Sequence, residues 1–411
     1  METLVAVFLI LISGVACLTQ SMPVLKIGPP PVELSYATFR YRPVFALVAA
    51  ALALWLGGRW LFGGMTGAVA PAALGLAGLI WASLAVSPSH MFHPQSGGRA
   101  LSAAEADMVP DSATVVGVVV GGEARAYPAE MTQPHHIVPD VLGGERILAS
   151  WCPLCHSGMV FKGDFKGRRL APRVIGGGNN NVLFYDPRTK NLIQQMNGEI
   201  VAGPDRGEHL EWIPAVTTSW SNWRREQPAT TVWWSPPGTL FRRLVRTLAM
   251  WAPTTIERKQ KPFYAMSGTG DDRRPFSEKV SAVQVGTERR AYPASALAQH
   301  AVVNDIVGGV PIAVFAASSA SFVRFFDRRV KEGTLTFRVE NQEIGNGTVA
   351  RDQETGSGWT LSGTAVDGPL RGLKLQQIAG VNRVFWGAYA FFFPGATLWD
   401  GPAQEDDSHA E

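Results

Sequence analysis

The sequence has few cysteines, few charges and no basic run. Only three of its 411 residues are cysteine, at positions 17, 152 and 155. Three cysteines cannot build the disulfide framework of a small secreted domain, so that class is excluded. The formal net charge is only +3, and lysine and arginine do not cluster along the chain, so no nucleic-acid partner is expected.

Apolar residues are concentrated near the N-terminus. A charged fraction of 17% and a mean hydropathy of +0.05 indicate a membrane portion. Apolar runs near residues 3–20, 43–61 and 64–87 each approach the roughly 20 residues that cross a hydrocarbon core. They predict three transmembrane helices within residues 1–87, embedded in the lipid bilayer of the cell (inner) membrane as a multi-pass region. A cleaved signal peptide is the alternative for the first run, although its start lacks the usual basic residues.

Basic residues on either side of the second predicted helix indicate its orientation. Lys26, Arg40 and Arg42 precede it, whereas Arg59 alone separates it from the third helix. The positive-inside rule therefore places the loop of residues 21–42 in the cytoplasm. With three spans, the soluble part of the chain would lie on the same side.

The composition changes after about residue 87. Residues 88–104 are polar and contain proline and glycine, which predicts a linker. Beyond it, short alternating apolar runs bounded by glycine and proline are typical of strands. We expect a mainly β (α+β) soluble domain with few helices, two of them at Ala103–Met108 and Ser219–Arg225. The acidic tail, residues 401–411, is predicted to be disordered.

The soluble region contains an internal repeat. Three segments recur at one constant offset of 165 residues, which chance does not produce. The three pairs are GGEARAYP (121–128) and GTERRAYP (286–293), HHIVPDVLGG (135–144) and HAVVNDIVGG (300–309), and NGEIVAGPDRGEHL (197–210) and SGTAVDGPLRGLKL (362–375). We therefore predict a duplicated domain, with halves at 105–235 and 270–400 joined by a connector at 236–269 and related by a pseudo-two-fold axis.

The repeat supplies an internal comparison for the cysteines. WCPLCH at 151–156 aligns with AASSAS at 316–321, so the second half keeps the framework without any Cys or His. The fold therefore does not need those side chains for packing. This favours a functional role for Cys152, Cys155 and His156.

Two kinds of chemistry fit this motif. In a redox dithiol, Cys152 would attack and Cys155 would resolve, although the alternating pattern after the motif predicts a strand and not the helix of thioredoxin-like sites. In a metal site, the two thiolates would bind Zn or Cu, and His156, His136 or His135 would complete the set. Asp140 is a further candidate near these residues in the sequence.

Two other interpretations remain open. CPLCH matches the c-type haem pattern with His156 as axial ligand, but its β-like surroundings make haem c the least favoured cofactor. Alternatively, the cysteines are structural, in a non-catalytic scaffold or interaction module that binds a membrane-protein partner. No nucleophile–base constellation supports a hydrolase.

Several of these segments resemble a known bacterial and archaeal family. The segments are ARAYP, HHIVPDVLGG, SWCPLCHSGMVF, LFYDPRT and NGEIVAGPDRG. Together they resemble the family called domain of unknown function 3179, over about residues 105–400. The resemblance implies a fold and a site but no assigned activity. Members of this family often look exported, so the resemblance implies an extracytoplasmic domain. This disagrees with the cytoplasmic placement that the positive-inside rule indicates.

Overall fold

The computed structural model describes most of the soluble region and one N-terminal helix pair. It describes residues 31–63, 98–235, 253–267, 270–317, 320–331, 333–340 and 347–401, with isolated positions at 8, 75, 78 and 92. In this part of the chain, one helix, Pro43–Leu61, is long and apolar enough to cross a membrane by length and composition. It coincides with the second predicted span. The predicted spans at 3–20 and 64–87 and the tail beyond residue 401 lie outside the described residues.

Helices are few and mostly short. Those with defined bounds are α1 (Val32–Arg40), α2 (Arg42–Leu61), α3 (Ala129–Thr132), α4 (Trp220–Glu226), α5 (Ala294–Gln299) and α6 (Trp386–Phe392). Residues 253–259 of the connector are also helical. The segment 21–42 was expected to be a loop, but much of it forms α1.

One of the two predicted soluble helices is confirmed. It is α4, which Ser219 caps by accepting from Asn222 N at 3.3 Å. The other prediction, Ala103–Met108, is wrong, because that segment forms turns. There the Glu105 carboxylate bonds back to the backbone and hydroxyl of Ser102, which closes a single turn that does not continue as a helix.

Strands make up most of the soluble region, as predicted. The first half contains β1 (Arg99–Ser102), β2 (Thr114–Val120), β3 (Glu123–Pro128), β4 (Ile137–Leu142), β5 (Glu145–Cys152), β6 (Ser157–Lys162), β7 (Asp164–Phe165), β8 (Arg168–Arg169), β9 (Arg173–Gly178), β10 (Asn181–Asp186), β11 (Asn191–Gln194), β12 (Ile200–Ala202), β13 (Ala215–Ser219) and β14 (Thr231–Trp234). The second half contains β15 (Lys279–Val285), β16 (Glu288–Pro293), β17 (Val302–Val307), β18 (Val310–Ala317), β19 (Phe322–Asp327), β20 (Arg329–Val330), β21 (Gly333–Thr334), β22 (Phe337–Val339), β23 (Ala350–Asp352), β24 (Gly358–Trp359), β25 (Gln376–Ile378), β26 (Gly380–Phe385) and β27 (Thr397–Leu398).

Each half is built from small, mainly antiparallel sheets. In the first half the strand orders are β1-β14-β3-β2-β13, β4-β5-β6, β12-β11-β10-β9 and β7-β8. In the second half they are β26-β15-β16-β27, β17-β18-β19-β25, β22-β23-β24 and β20-β21. β1 lies inside the predicted linker of 88–104, yet Arg99 pairs with Trp234 of β14. The backbone pairing therefore extends the first half to Arg99.

The two halves repeat each other in structure as in sequence. The five strands β2–β6 recur as β15–β19 with bounds displaced by the same 165 residues. Both β4–β5 and β17–β18 turn through a Gly-Gly pair with positive φ, as at Gly143 and Gly144 with 56° and 79°. A Cβ on Gly143 would lie 2.1 Å from Val120 O, so this turn requires glycine.

The halves pack against each other reciprocally. β6 of the first half contacts β26 of the second, β19 of the second contacts β13 of the first, and β13 contacts β26. Such exchanged contacts are what a pseudo-two-fold arrangement produces. One buried apolar cluster includes Leu148 and Phe161 together with Val384 and Trp386. The halves therefore share a core.

A buried polar contact recurs in both halves. Arg125 Nη1 and the Tyr127 hydroxyl donate to Asp140 Oδ2 over 2.6 and 2.7 Å. In the second half Tyr292 donates to Asp305 Oδ2 over 2.8 Å, and Arg290 occupies the place of the first arginine. Because the half without cysteines has the same contact, the carboxylate of Asp140 belongs to the framework.

Candidate functional site

The Cys-x-x-Cys motif forms the turn of a β-hairpin. β5 ends at Cys152 and β6 begins at Ser157, and the two residues face each other across the ladder. The turn between them contains His156 with a φ of 53°. The strand predicted after the motif is therefore confirmed. No helix begins at either cysteine, so no helix dipole acts on the thiols.

A second hairpin turn lies against the first. It joins β9 to β10 through Asn179 and Asn180, whose φ values of 53° and 60° are those of a two-residue type I′ turn. This turn brings Asn180 O to 3.7 Å from Cys152 Sγ, which donates to it. It also places Asn181, the first residue of β10, beside Cys155.

Cys155 Sγ is surrounded by hydrogen-bonding groups. Asn181 Nδ2 donates to it over 2.9 Å, and the Ser157 hydroxyl lies 3.0 Å away. As a neutral thiol it donates to Cys152 O, 3.9 Å away. Both cysteines are free thiols with 0% of their surface exposed. Donors that converge on one buried sulfur favour its thiolate over its thiol.

The two thiols are therefore inequivalent. Burial acts to raise the pKa of Cys155. Hydrogen bonds from Cys152, Ser157 and Asn181 outweigh burial and hold that pKa below its ordinary value. Burial raises the pKa of Cys152 well above its ordinary value, and the hydrogen bond and charge of Cys155 add to this effect. The pair titrates as one unit, in which the donors around Cys155 Sγ favour the thiolate at that residue.

A network of side-chain amides fixes these donors in place. Asn181 Oδ1 accepts from Gln194 Nε2 and from Met196 N, so its amide must present Nδ2 to the thiol. The same Nδ2 also donates to Gln195 Oε1 over 2.7 Å. Ser157 Oγ donates to that oxygen over 2.8 Å. Because a hydroxyl rotates, it can instead donate to a thiolate beside it.

The second half has the same hairpin without this polar environment. β18 and β19 pair in the register of β5 and β6. The positions of Ser150 and Ser157 are taken there by the buried Phe315 and Phe322, and that of Cys152 by Ala317. The hairpin thus also forms with apolar side chains at these positions. The polar filling of the first half is not required by strand pairing.

His156 connects the two halves and does not bond to the thiols. Its Nδ1 donates to Arg383 O over 2.7 Å, and its ring packs against Trp151 and Phe385. Burial lowers the pKa of His156 to about 3, and the charges of Lys279 and Arg383 contribute. The ring is therefore neutral and serves as a contact between halves.

The other two predicted histidine ligands also have different partners. His136 Nδ1 donates to Trp151 O over 3.0 Å, and burial lowers its pKa to about 4. His135 packs edge-on against Trp233. Among the residues that the structure describes, no three His, Cys, Asp or Glu side chains form a group that could hold a metal. The predicted set of two thiolates with histidine is therefore not assembled.

The connector is bound to the turn that contacts Cys152. Asn180 donates from Nδ2 to Tyr264 O and accepts at Oδ1 from Tyr264 N, both over 2.8 Å. Asn179 Oδ1 accepts from the backbone and the hydroxyl of Ser267 at 2.8 and 3.0 Å. Tyr264 and Ser267 are thus fixed to the turn whose Asn180 O accepts from Cys152 Sγ.

The sequence identified the cysteines but not the groups around them. Aligned at the constant offset, Ser150 and Ser157 stand opposite phenylalanines, so a signal for these two existed in the repeat. Asn181 and Gln195 carried no such signal. Asn181 begins β10 and Gln195 follows β11, and only the fold brings Asn181 to Cys155 and Gln195 to Ser157.

Comparison with known proteins gives a family and nothing more specific. Residues 97–396 match the family model described as Protein of unknown function (DUF3179). No curated protein and no solved structure matches the chain.

Proposed function

Because the chain belongs to the DUF3179 family, whose description assigns no activity, we propose from the site itself that it carries a thiol–disulfide exchange centre. Cys155 is the attacking thiolate and Cys152 the resolving thiol, the reverse of the order expected from the sequence. The observation that carries this proposal is the set of donors around Cys155 Sγ. It lowers the pKa of that thiol although the side chain is fully buried.

The exchange requires two steps. The Cys155 thiolate attacks one sulfur of a substrate disulfide, forms a mixed disulfide and releases the other substrate sulfur as a thiolate. Cys152, after losing its proton to solvent, attacks Cys155 Sγ and releases the second substrate thiolate. Two protons bind the released thiolates. The chain ends as a Cys152–Cys155 disulfide and the substrate as two thiols.

The unequal pKa values suit this order. A thiolate present at lower pH attacks first, and a low pKa also makes Cys155 the better leaving group in the reverse reaction. The charge of Cys155 is one reason why the pKa of Cys152 is raised. That charge disappears in the mixed disulfide. Formation of the mixed disulfide therefore removes one cause of the raised pKa of Cys152 before the second step.

Thiolate absorbance tests this proposal without access to the buried site. We expect far-ultraviolet titration of Cys152→Ser to retain a low-pH thiolate step and that of Cys155→Ser to lose it. Redox buffers of glutathione should then convert the wild-type pair to an intramolecular disulfide, seen by mass spectrometry. If the low-pH step stays in Cys155→Ser, the order is wrong. If no disulfide forms at any glutathione ratio, the thiols are structural parts of a scaffold.

A two-coordinate Cu⁺ site is the second candidate. Soft thiolates select Cu⁺, and the two thiols lie in one turn while the histidines have other partners. Metal analysis of the purified full chain tests it. One copper per chain that is lost in Cys152→Ser would favour this candidate over exchange. The complete burial of both thiols does not support haem c.

The proposed setting is the membrane, through α2. α1 lies against the first half: the Tyr36 hydroxyl donates to Lys190 O over 2.9 Å, and Phe39 packs on Tyr185. Residues before α2 are therefore on the same side of the membrane as the soluble halves. A chain that leaves at Arg42 must cross an even number of times before β1. The predicted span at 64–87 would supply the second crossing.

Cysteine labelling tests this topology. A membrane-impermeant maleimide should label Glu33→Cys and Arg338→Cys from the same side of sealed vesicles. Glu33 and Arg338 are exposed, in α1 and in the second half. Labelling from opposite sides would contradict the even number of crossings. The side that reacts also decides between the cytoplasmic and extracytoplasmic expectations.

A further inference from the structure

The first half carries exposed basic side chains without acidic partners. They lie on β8, at the start of β9 and in the β10–β11 turn: Arg168, Arg169, Arg173, Arg188 and Lys190. None of the five forms an ion pair with another described residue, and we call them the basic patch. They form two short groups in the sequence, at 168–173 and 188–190, which the fold brings together.

The fold brings these residues together. Arg188 Nη1 donates to Arg169 O over 3.2 Å, which joins the β10–β11 turn to β8. Arg173 stands opposite Tyr185 in the β9–β10 ladder. The neighbouring acidic groups already have basic partners: Asp164 pairs with Arg146 at 3.1 Å, Glu33 with Arg206 at 3.2 Å, and Asp205 and Glu208 with Lys166 at 2.7 and 2.6 Å. The patch therefore keeps its positive charge.

The patch adjoins α1, the helix that leads into the proposed membrane span. α1 is bound to it by the Tyr36 hydroxyl on Lys190 O, and α1 ends at Arg40. Only Tyr41 separates α1 from α2. At 1.5 Å per residue, Tyr36 lies about 9 Å along the chain axis from the start of α2. This is roughly one Debye length at physiological ionic strength, so charges here act on lipid headgroups.

We propose that the basic patch, with Arg40, binds the anionic headgroups of the bilayer that α2 enters. This rests on the proposed membrane span. Clusters of four to eight basic residues beside a membrane helix have this affinity, and here tertiary structure assembles the cluster. The β9–β12 sheet then faces the lipid surface. The domain is held by two attachments, the apolar α2 and the patch.

Lipid preference of the full chain tests the proposal. The purified protein in neutral detergent is titrated with dansyl-phosphatidylglycerol and with dansyl-phosphatidylcholine, and energy transfer from tryptophan reports binding. We expect the wild type to prefer the anionic lipid. The double variant Arg188→Gln, Lys190→Gln should lose roughly twenty-fivefold of that preference, at roughly fivefold per basic side chain.

The matched control is Arg338→Gln, Arg371→Gln, two exposed arginines of the second half. It should keep the wild-type preference; an equal loss would overturn the proposal. Equal displacement of the labelled lipid by soluble glycerol phosphate would assign the patch to free phosphate and overturn it also. Carbonate washing of membranes tests the proposed membrane span separately from the basic patch. Extraction of the wild type would refute the span, whereas retention without anionic preference would refute the patch alone.

Discussion

Removing the Ser157 hydroxyl tests the source of the low pKa at Cys155. Ser157→Ala deletes one oxygen, 3.0 Å from Cys155 Sγ, and leaves the hairpin backbone unchanged. The second half shows that the position accepts a residue without a hydroxyl, since Phe322 occupies it there. Ser157 is 0% exposed, so bulk water does not replace the lost donor.

The expected effect follows from the free energy of one hydrogen bond to a charged group. A hydrogen bond to a charged group contributes about 1.5–3 kcal/mol. About 1.36 kcal/mol corresponds to a tenfold change in a protonation equilibrium. The ratio of thiolate to thiol at Cys155 should therefore fall roughly ten- to hundredfold at a given pH, with Asn181 still donating. The pKa of Cys155 should rise.

The assay is the first thiolate step in far-ultraviolet absorbance of the full chain. Ser150→Ala is the matched control. Its hydroxyl belongs to the same network, 3.1 Å from Gln195 Nε2, but forms no hydrogen bond to Cys155. A midpoint that does not move in Ser157→Ala would refute the reasoning. An equal shift in both variants would show that general loosening, and not the donor, controls the thiol.

Three further outcomes are expected. Because burial lowers the pKa of His136 to about 4 and of His156 to about 3, below the ordinary 6.5, the unfolded chain binds protons first as pH falls. Stability should be present above about pH 6.5 and decrease toward pH 4, by about 3 kcal/mol for His136 alone, measured by denaturant unfolding. Asn180→Gly keeps the left-handed turn but removes both bonds to the connector, so alkylation of the thiols, followed by mass spectrometry, should accelerate roughly tenfold. Tyr127→Phe and Tyr292→Phe should each destabilise the fold by about 1–3 kcal/mol and leave the thiolate titration unchanged, because each removes the same framework donor.

Each of these three predictions has a control variant, at an exposed residue or at a matching position. His136→Asn should reduce the acid loss, whereas the exposed His209→Asn should not; equal behaviour would contradict the assignment. Lys166→Gly, at another left-handed turn position, should leave alkylation unchanged. If it accelerates alkylation as much as Asn180→Gly does, the connector is not the barrier. A thiolate shift in Tyr127→Phe but not in Tyr292→Phe would link the first-half framework to the site.

Local sequence patterns determined most of the strand framework. Alternating apolar residues and glycine turns act over a few positions, so the β2–β6 set and its copy were visible at the offset of 165. The wrong helix prediction at 103–108 shows where such local patterns are insufficient. There the Glu105 carboxylate accepts a hydrogen bond from Ser102 N and closes a single turn, which a pattern of helix-forming residues does not reveal.

The sequence by itself determined that two thiols stand in a strand-flanked turn in only one of two similar halves. Tertiary structure alone decided what surrounds them. Asn181 reaches Cys155 and Gln195 reaches Ser157 from other parts of the first half, and the rings of His136 and His156 donate to backbone carbonyls instead. The fold likewise brings together the two groups of the basic patch. Charge and hydrogen bonding act through space over a few ångströms, and the distance between two residues in space is set by the fold and not by their separation in sequence.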